Sequence, residues 1–306
     1  MSANPSIPEG ETGFDRLLGF ALPARNARGR VVRLGPALDE VLAAHAYPAP
    51  VRNLLAEALV LTALIGGLLK QEQSQLTMQA QAPAREDGGA ISLLVCDFRE
   101  GGLRGYAEFD SERLDGLGAN PSLGALFQDG SLAITFDLTA TGQRYQGIVP
   151  LEGDSLGEAC ETYFAQSEQV PTLIRLGVRS NGGRTVAGGL LVQHLAEGEV
   201  GRERLHVRMD HPEWEHVAVL AGSTRHEELV DPALSLEALI WRLFHEETEV
   251  RVEPGAALSR GCRCTSDYYR QVLARFPEQD LADMRDDSGR IVVDCAFCSR
   301  EFVLEL

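Results

Sequence analysis

The sequence has no block rich in lysine or arginine, no long apolar run, and no basic or apolar segment at its start. Its formal charge of −17 is therefore not offset by a local positive patch, and the field around the protein repels phosphate backbones and anionic lipid head groups. We expect neither nucleic acid nor a membrane among its partners. The longest uncharged run, residues 58–69, has 12 residues, whereas about 20 are needed to cross a bilayer. It is predicted to be a buried helix.

Cysteine is also scarce, with six in 306 residues. A chain of this length buries a sizeable core without cross-links, so its stability does not require disulfides. The first 12 residues are polar and lack the pattern of a signal peptide, which favours a disordered tail and a location in the reducing cytoplasm. In that compartment, close cysteine pairs are more often metal ligands or redox groups than permanent disulfides.

Helical and strand-like segments follow one another irregularly up to about residue 208. Helical spacing covers residues 54–69 and 156–164, and strand patterns occupy residues 75–82, 91–98, 132–138 and 186–195. Because the order is not a regular βαβ alternation, we predict an α+β fold rather than a doubly wound one. We expect the strands to stop at about residue 210 and to return only in the last module.

One predicted helix carries a wide apolar face. Ser235 is a candidate N-cap, and five large apolar residues follow at i, i+3, i+4, i+7 and i+8, here called the apolar stripe: Leu236, Leu239, Ile240, Leu243 and Phe244. Such a face must be covered, either as ordinary core or as a surface that is hidden in one state only. Pro254 and Gly255 then suggest a boundary, and the last 46 residues of the chain are too few to own a substantial core.

Four cysteines form two close pairs in this last module. Their spacing is C-x-C, then 30 intervening residues, then C-x2-C: Cys262, Cys264, Cys295 and Cys298. Two close pairs on separate turns supply the tetrahedral ligands that zinc prefers, and no histidine lies among them, so the ligands would be four thiolates. A helix with Tyr268, Val272 and Phe276 on one face, followed by a strand at residues 289–295, would bring the two pairs together.

Spacing alone leaves the state of these thiols open. A disulfide within C-x-C closes a very small ring and should be strained, and strained disulfides are the labile ones. A permanently closed zinc ribbon and a redox-responsive site both fit the pattern, and structural disulfides or unrelated free thiols are further alternatives. Cys96 and Cys160 lie on apolar segments and are predicted to be buried core thiols.

Residues 153–157, Gly-Asp-Ser-Leu-Gly, match the G-x-S-x-G pattern of serine hydrolases, with Ser155 as the nucleophile. The same segment fits the start of a helix, because Ser155 and Glu158 form an S-x-x-E capping box ahead of an apolar helical pattern. The strand order does not suit a hydrolase, and no signature marks a histidine partner. We therefore favour the capping box.

Taken with these motifs, several segments resemble the bacterial 33 kDa heat-shock protein family, the redox-regulated molecular chaperones. Beside the cysteine module, the resemblance is carried by "YQGIVPLEGDSLGEACETYFAQSEQVPT" at 145–172, "AGGLLVQ" at 187–193 and "LIWRLFHEE" at 239–247. It implies an α+β N-terminal domain, a helical linker and a small zinc-binding redox domain. We accordingly expect a disordered tail at residues 1–12 and domains at residues 13–208, 209–260 and 261–306.

The resemblance also implies roles for residues. In the reduced family form, four thiolates hold one zinc ion, which here implies Cys262, Cys264, Cys295 and Cys298. Oxidation in the family releases zinc and forms disulfides within each close pair, which implies Cys262–Cys264 and Cys295–Cys298. The active form is a homodimer that binds unfolding proteins without consuming nucleotide, so no enzymatic activity is expected. The apolar stripe would then be a surface that oxidation exposes to client proteins. A static zinc-ribbon interaction protein is the main alternative.

Overall fold

Two large sheets with one helix buried between them make up most of the fold. The structure is a computed structural model, and it describes residues 13–69, 73–84, 88–118, 120–195 and 211–305. The predicted disordered tail at residues 1–12 and the predicted boundary at residue 208 lie outside the described residues.

The first sheet consists of β1 (Arg16–Leu22), β2 (Ala27–Leu34), β8 (Thr172–Asn181), β9 (Arg184–His194) and β10 (Arg251–Ala257). These strands are antiparallel and are arranged in the order β10-β1-β2-β9-β8. A short 3-10 turn, Pro23–Arg25, joins β1 to β2. Because β1 and β2 bury residues on both faces, this sheet separates two apolar layers.

The second sheet consists of β3 (Gln75–Gln81), β4 (Ile91–Arg99), β5 (Gly102–Phe109), β6 (Ser131–Leu138), β7 (Gln143–Pro150) and β11 (Ser259–Arg260). Its order is β11-β5-β4-β3-β6-β7, and only the short β11 runs parallel to its neighbour among these described strands. A separate hairpin near the C-terminus pairs β12 (Ile291–Asp294) with β13 (Glu301–Leu304).

Helices cover the sheets and join their strands. In the N-terminal half they are α1 (Pro36–Leu42), α2 (Ala49–Gly66), α3 (Ser111–Asp115), α4 (Leu123–Phe127) and α5 (Leu156–Tyr163), the last followed by a π-helical turn at Phe164–Glu168. In the C-terminal part they are α6 (Pro212–Gly222), α7 (His226–Leu229), α8 (Leu236–Phe244), α9 (Ser266–Leu273) and α10 (Glu278–Met284).

Helix α2 is the centre of the main core. Strands of both sheets pack against it, so its apolar residues extend around most of its circumference. It is long and apolar enough to cross a membrane by composition, but 72% of it is buried inside the fold, as in a core helix. The prediction of a buried helix in this region is confirmed, although the helix begins at Ala49, before the apolar pattern does.

Two neighbouring glycines in β9 allow helices to approach both faces of the first sheet. A Cβ atom at Gly188 would lie 2.2 Å from the carbonyl oxygen of Leu229 in α7. A Cβ atom at Gly189 would lie 2.6 Å from Cγ1 of Val60 in α2. The Gly-Gly pair of "AGGLLVQ" therefore permits close packing on opposite sides of one strand.

Strands β10 and β11 correct the expectation that no strand lies between residue 210 and the last module. Pro254 and Gly255, interpreted above as a boundary, are inside β10. The strand escaped recognition because all seven of its residues are exposed, so its side chains show no apolar alternation. The predicted α+β fold class is confirmed, and the exact domain boundaries stay predictions.

Candidate metal centre

The first close cysteine pair lies in the segment between β11 and α9. Before it, the Gly261 N–H donates to the carbonyl of Leu103 in β5 at 2.6 Å. After it, Thr265 is the N-cap of α9, and its hydroxyl accepts the Tyr268 N–H at 3.1 Å. Cys262 and Cys264 are thus held between two ordered elements.

The second close pair occupies the turn between β12 and β13. The N–H groups of Cys298 and Ser299 donate to the carbonyl of Cys295 at 3.1 and 2.8 Å, and the Cys295 N–H donates to the Arg300 carbonyl at 3.0 Å. Ser299 has a positive φ of 54°, which closes the turn. Such a hydrogen-bonded turn keeps Cys295 and Cys298 close to each other.

The helix between the two pairs uses a different face from the predicted one. Tyr268 and Phe276 are exposed, so the expected face of Tyr268, Val272 and Phe276 is wrong. Instead Leu273 is buried and the Tyr269 ring packs on Phe302 of β13, with 5.0 Å between ring centroids. Helix α9 is short, and contact with the hairpin rather than sequence periodicity selects its buried face.

The four sulfur atoms form one cluster. All lie within 4.8 Å of one another, with contacts of 3.4 Å for Cys262–Cys264, 3.6 Å for Cys262–Cys295 and 3.3 Å for Cys264–Cys298. A tetrahedral zinc ion with Zn–S bonds of about 2.3 Å would separate its ligand sulfurs by about 3.8 Å. The cluster therefore has the size and donor set of a four-thiolate metal site.

The cluster does not by itself select a disulfide pairing. All six cysteines are free thiols. The sulfur of Cys264 is 3.4 Å from that of Cys262 and 3.3 Å from that of Cys298, so a neighbour within its own pair and one across the site are equally near. The pairing of Cys262 with Cys264 and of Cys295 with Cys298 stays a prediction.

The thiols differ in their acidity. Burial raises the pKa of Cys262 and of Cys264. Burial acts in the same direction on Cys295, but hydrogen bonds from the side chains of Tyr269 and Cys298 and from the Phe297 backbone outweigh it and lower the pKa of Cys295 to about 7. A bound cation would favour the thiolate form at every ligand, because each sulfur binds metal only when deprotonated.

The residue inside the first pair anchors the cluster to the second sheet. Arg263 donates to the Gln75 side-chain oxygen at 2.9 Å and lies 3.5 Å from a carboxylate oxygen of Asp97. Asp97 is only 3% exposed, and it also accepts from the Thr77 hydroxyl and from Arg104 Nε, both at 2.7 Å. A buried carboxylate with three donors is a well-satisfied anchor.

The two residues between Cys295 and Cys298 also contact the N-terminal part of the chain. The Arg104 guanidinium lies 4.0 Å from the centre of the Phe297 ring, and His45 Nε2 lies 2.7 Å from the carbonyl oxygen of Ala296. Just after the pair, the Ser299 hydroxyl donates to the Ala44 carbonyl at 2.6 Å. None of these contacts was predicted, because each joins residues that are far apart in sequence and no motif marks them.

One protein-family model matches nearly the whole chain. The family model described as Hsp33 protein matches residues 15–305, which is most of the chain. The chain is a member of the Hsp33 family. The resemblance drawn from its motifs is confirmed.

Hsp33 relatives match over nearly their whole length. The 33 kDa chaperonin of Caulobacter vibrioides is 39% identical over 299 residues, which are 95% of this chain and 95% of that protein. The 33 kDa chaperonin of Pseudomonas aeruginosa is 35% identical over 298 residues, covering 95% and 92%. The crystal structure of a 33 kDa chaperonin from Thermotoga maritima has 21% identity and a TM-score of 0.74, covers 95% of this chain and 94% of that one, and shows a common fold.

In this Hsp33 chain the apolar stripe is covered by the first sheet. Leu243 is half-buried. The other four residues of the stripe are buried in a layer with β1 and β2: Leu236, Leu239, Ile240 and Phe244. The Phe244 ring lies 5.4 Å from that of Phe20. Ser235 is the N-cap, as predicted, with its hydroxyl accepting the Ala238 N–H at 3.1 Å.

A buried arginine that the sequence did not single out also holds this region. Arg33 of β2 is fully buried, and its guanidinium donates to three backbone carbonyls around α7: Glu228 at 3.1 Å, Leu229 at 2.9 Å and Leu234 at 2.7 Å. These carbonyls include those that the end of a helix leaves without an intrahelical partner. Leaving them unpaired in a buried layer would be costly.

The remaining thiols and Ser155 match the predictions for them. Cys96 and Cys160 are fully buried, and burial raises the pKa of both. Ser155 is the N-cap of α5 and accepts the Glu158 N–H at 3.2 Å. The Glu158 carboxylate accepts the N–H of Asp154 at 2.8 Å, one residue earlier than the usual capping box. Among the described residues, no histidine bonds Ser155.

Proposed function

We propose that this Hsp33-family chain is a redox-regulated, ATP-independent holdase chaperone. In its reduced form the thiolates of Cys262, Cys264, Cys295 and Cys298 hold one zinc ion and the chain is inactive. Oxidation joins Cys262 to Cys264 and Cys295 to Cys298, ends metal binding, and makes the apolar stripe available to unfolding proteins. The proposal is carried by the cluster of four sulfur atoms within 4.8 Å on two separate turns.

Zinc would supply stability that the small module lacks. Structural zinc contributes about 10–16 kcal/mol at neutral pH in comparable peptides. The module's own apolar cluster contains six buried residues: Leu273, Leu281, Ile291, Cys295, Phe302 and Leu304. A core of this size does not normally keep such a segment folded without a metal or a covalent link. We therefore expect the module to unfold once its thiolates are consumed.

Oxidation of the thiolates follows ordinary sulfur chemistry. Two thiolates lose two electrons and form one S–S bond, and the hydroperoxide that accepts these electrons takes up two protons and leaves as an alcohol and water. Two such reactions consume all four ligands. Because metal binding requires thiolate sulfur, a cluster converted to two disulfides no longer retains the ion.

Unfolding of the module would then loosen the segments joined to it. The anchors at Arg263 and Phe297 depend on the two cysteine turns, and only 17 residues separate the end of α8 from Cys262. Freed from these restraints, the apolar stripe and the sheet face beneath it form one surface of the kind that binds other proteins. The clients we propose are unfolding or oxidatively damaged proteins.

The remaining features of the proposal follow the family. The active form is a homodimer in the cytoplasm, and no enzymatic reaction, nucleic acid or membrane is involved. The net charge of −17 agrees with this, since it repels polyanions and keeps a chain with exposed apolar surface soluble.

Metal, thiols and chaperone activity should be measured on the same sample before and after hydroperoxide treatment. We expect one zinc ion and six free thiols in the reduced chain, and no zinc and two thiols after oxidation. Only the oxidised sample should prevent a heat-labile client from aggregating. Zinc retained under oxidant, with no effect on the client, would instead identify a static zinc-ribbon protein.

A further inference from the structure

Strand β10 is bound to the first sheet in an unusual way. It lies at the edge of the sheet and pairs with β1 from Ala21↔Arg251 to Leu18↔Pro254, with a bulge before Arg16↔Ala257. All seven of its residues are exposed, including Val252 at 41%. The strand therefore gains little from side-chain burial, and main-chain hydrogen bonds hold it in place.

Pro254 shows which main-chain groups make those bonds. Proline has no N–H, so the Leu18↔Pro254 position is one where the two residues do not exchange hydrogen bonds. Bonding alternates along an antiparallel pair, so the next position, Gly19↔Glu253, is bonded and the one after it, Phe20↔Val252, is not. The N–H of Glu253 thus points to β1, whereas that of Val252 points to solvent.

The edge beneath β10 is apolar. Leu17, Leu18 and Phe20 are each at most 3% exposed, and they belong to the two apolar layers on either side of the first sheet. Without β10, this edge would present unpaired N–H and C=O groups beside apolar side chains. Such an edge pairs readily with another extended chain.

The position of β10 in the chain ties it to the cysteine cluster. Only four residues separate Ala257 from Cys262, and they are held by main-chain contacts: the Leu258 N–H donates to Asp15, and β11 pairs with β5, where the N–H groups of Ser259 and Gly261 donate to Gly101 and Leu103. On its other side, six residues separate β10 from the end of α8. A strand without buried side chains, placed between two segments that activation loosens, should detach early.

We propose that β10 is a replaceable strand and that, in the activated chain, an extended segment of an unfolding protein takes its place on the edge of β1. The inference rests on the proposed function and adds a docking site to it. Because the native occupant buries no side chain, the edge accepts an extended main chain and selects little for sequence. Such a site suits unfolding proteins that have no sequence motif in common. The apolar residues of β1 add affinity for their apolar segments.

Two proline variants separate main-chain pairing from other effects of substitution. Glu253→Pro removes an N–H that bonds β1, whereas Val252→Pro removes one that faces solvent, as Pro254 already does. Glu253→Gln controls for the lost charge. Under reducing conditions, with zinc content unchanged, we expect Glu253→Pro to suppress client aggregation without oxidant and the other two variants to stay inactive. Equal behaviour of the two proline variants, or inactivity of Glu253→Pro although its β1 edge is exposed, contradicts the proposal.

Hydrogen exchange in the unmodified chain tests the same site directly. We expect the Gly19 amide to be protected in the reduced chain, to exchange about tenfold faster or more after oxidation, and to regain protection when a client binds. The amides of Leu18 and Phe20, which face β2, should stay protected throughout and serve as internal controls.

The outcomes distinguish this inference from the function on which it rests. If the oxidised chain prevents client aggregation while the Gly19 amide stays unprotected in the complex, clients dock elsewhere and only the inference fails. If the oxidised chain has no effect on the client, the proposed function fails. If protection returns without client and rises with protein concentration, a second copy of the chain occupies the edge, and the inference is wrong.

Discussion

Arg263, the residue between the two cysteines of the first pair, reaches across to Asp97 in β4, with 3.5 Å between its Nη2 and a carboxylate oxygen. Asp97 is also bonded by Arg104, whose guanidinium covers the Phe297 ring of the second pair. One buried carboxylate thus lies beneath both cysteine turns. A displacement of either turn would therefore alter a contact with the same carboxylate or with the arginine bound to it.

Replacing Arg263 by alanine should make the cluster easier to oxidise. The side chain is about one-third exposed, so the lost contact should cost about 1 kcal/mol, and the turn it restrains should open more often. We expect loss of the four thiols under hydroperoxide to become severalfold faster. Arg260→Ala, at an exposed arginine three residues earlier, is the matched control. Equal oxidation rates for the two variants would show that the anchor does not restrain the cluster.

Truncating Phe244 should weaken the packing of the apolar stripe. Its ring is fully buried against Phe20, so Phe244→Ala should lower the free energy of unfolding by about 3–5 kcal/mol. Trp241 is on the same helix but 62% exposed, and Trp241→Ala should change stability by less than about 0.5 kcal/mol. Urea unfolding of the reduced proteins measures both. In the proposed mechanism, Phe244→Ala also lowers the oxidant dose at which client binding begins.

Removing one ligand should abolish tight metal binding. Changes in the surroundings of a metal site alone cost about 10–100-fold in affinity, so Cys298→Ser should weaken zinc binding by more than about 100-fold. Cys160→Ala is the control, because that thiol is buried in the main core, away from the cluster. Competition with a chelator of known affinity gives both values. Similar affinities for the two variants would rule out the four-cysteine site.

The reactivity of the thiols should divide them into two groups. After removal of metal from the folded reduced chain, we expect four thiols to react with a small disulfide reagent and Cys96 and Cys160 to remain unreacted. Both are fully buried, and burial raises their pKa, so little thiolate is present or accessible. Mass spectrometry of the labelled peptides identifies the sites. Labelling of Cys96 or Cys160 at the rate of the cluster would contradict this division.

Ser155 should prove structural. Ser155→Ala removes the N-cap of α5 and should lower stability by about 1 kcal/mol, while Ser155→Asp should restore most of it. A fluorophosphonate probe should leave Ser155 unlabelled. Labelling at this residue would revive the hydrolase interpretation.

Local features of this fold were predictable from sequence. The capping roles of Ser155 and Ser235 and the buried stripe of α8 depend on residues only a few positions apart, so short patterns carry them. The C-x-C and C-x2-C spacings likewise identified the four residues that meet in the cluster. In contrast, β10 was missed because no side-chain pattern accompanies its pairing, and the face of α9 was mistaken because a distant hairpin selects it.

The sequence by itself determined that a helix begins after the first cysteine pair, which four thiols form the two close pairs, and which family the chain resembles. Only the tertiary structure decided that β10 joins β1, that Arg33 holds the carbonyls around α7, and that Arg263 reaches Asp97. The physical reason is that these partners are more than 150 residues apart in the chain. Their contact depends on how sheets pair and pack, and neither partner carries a local signal of the other.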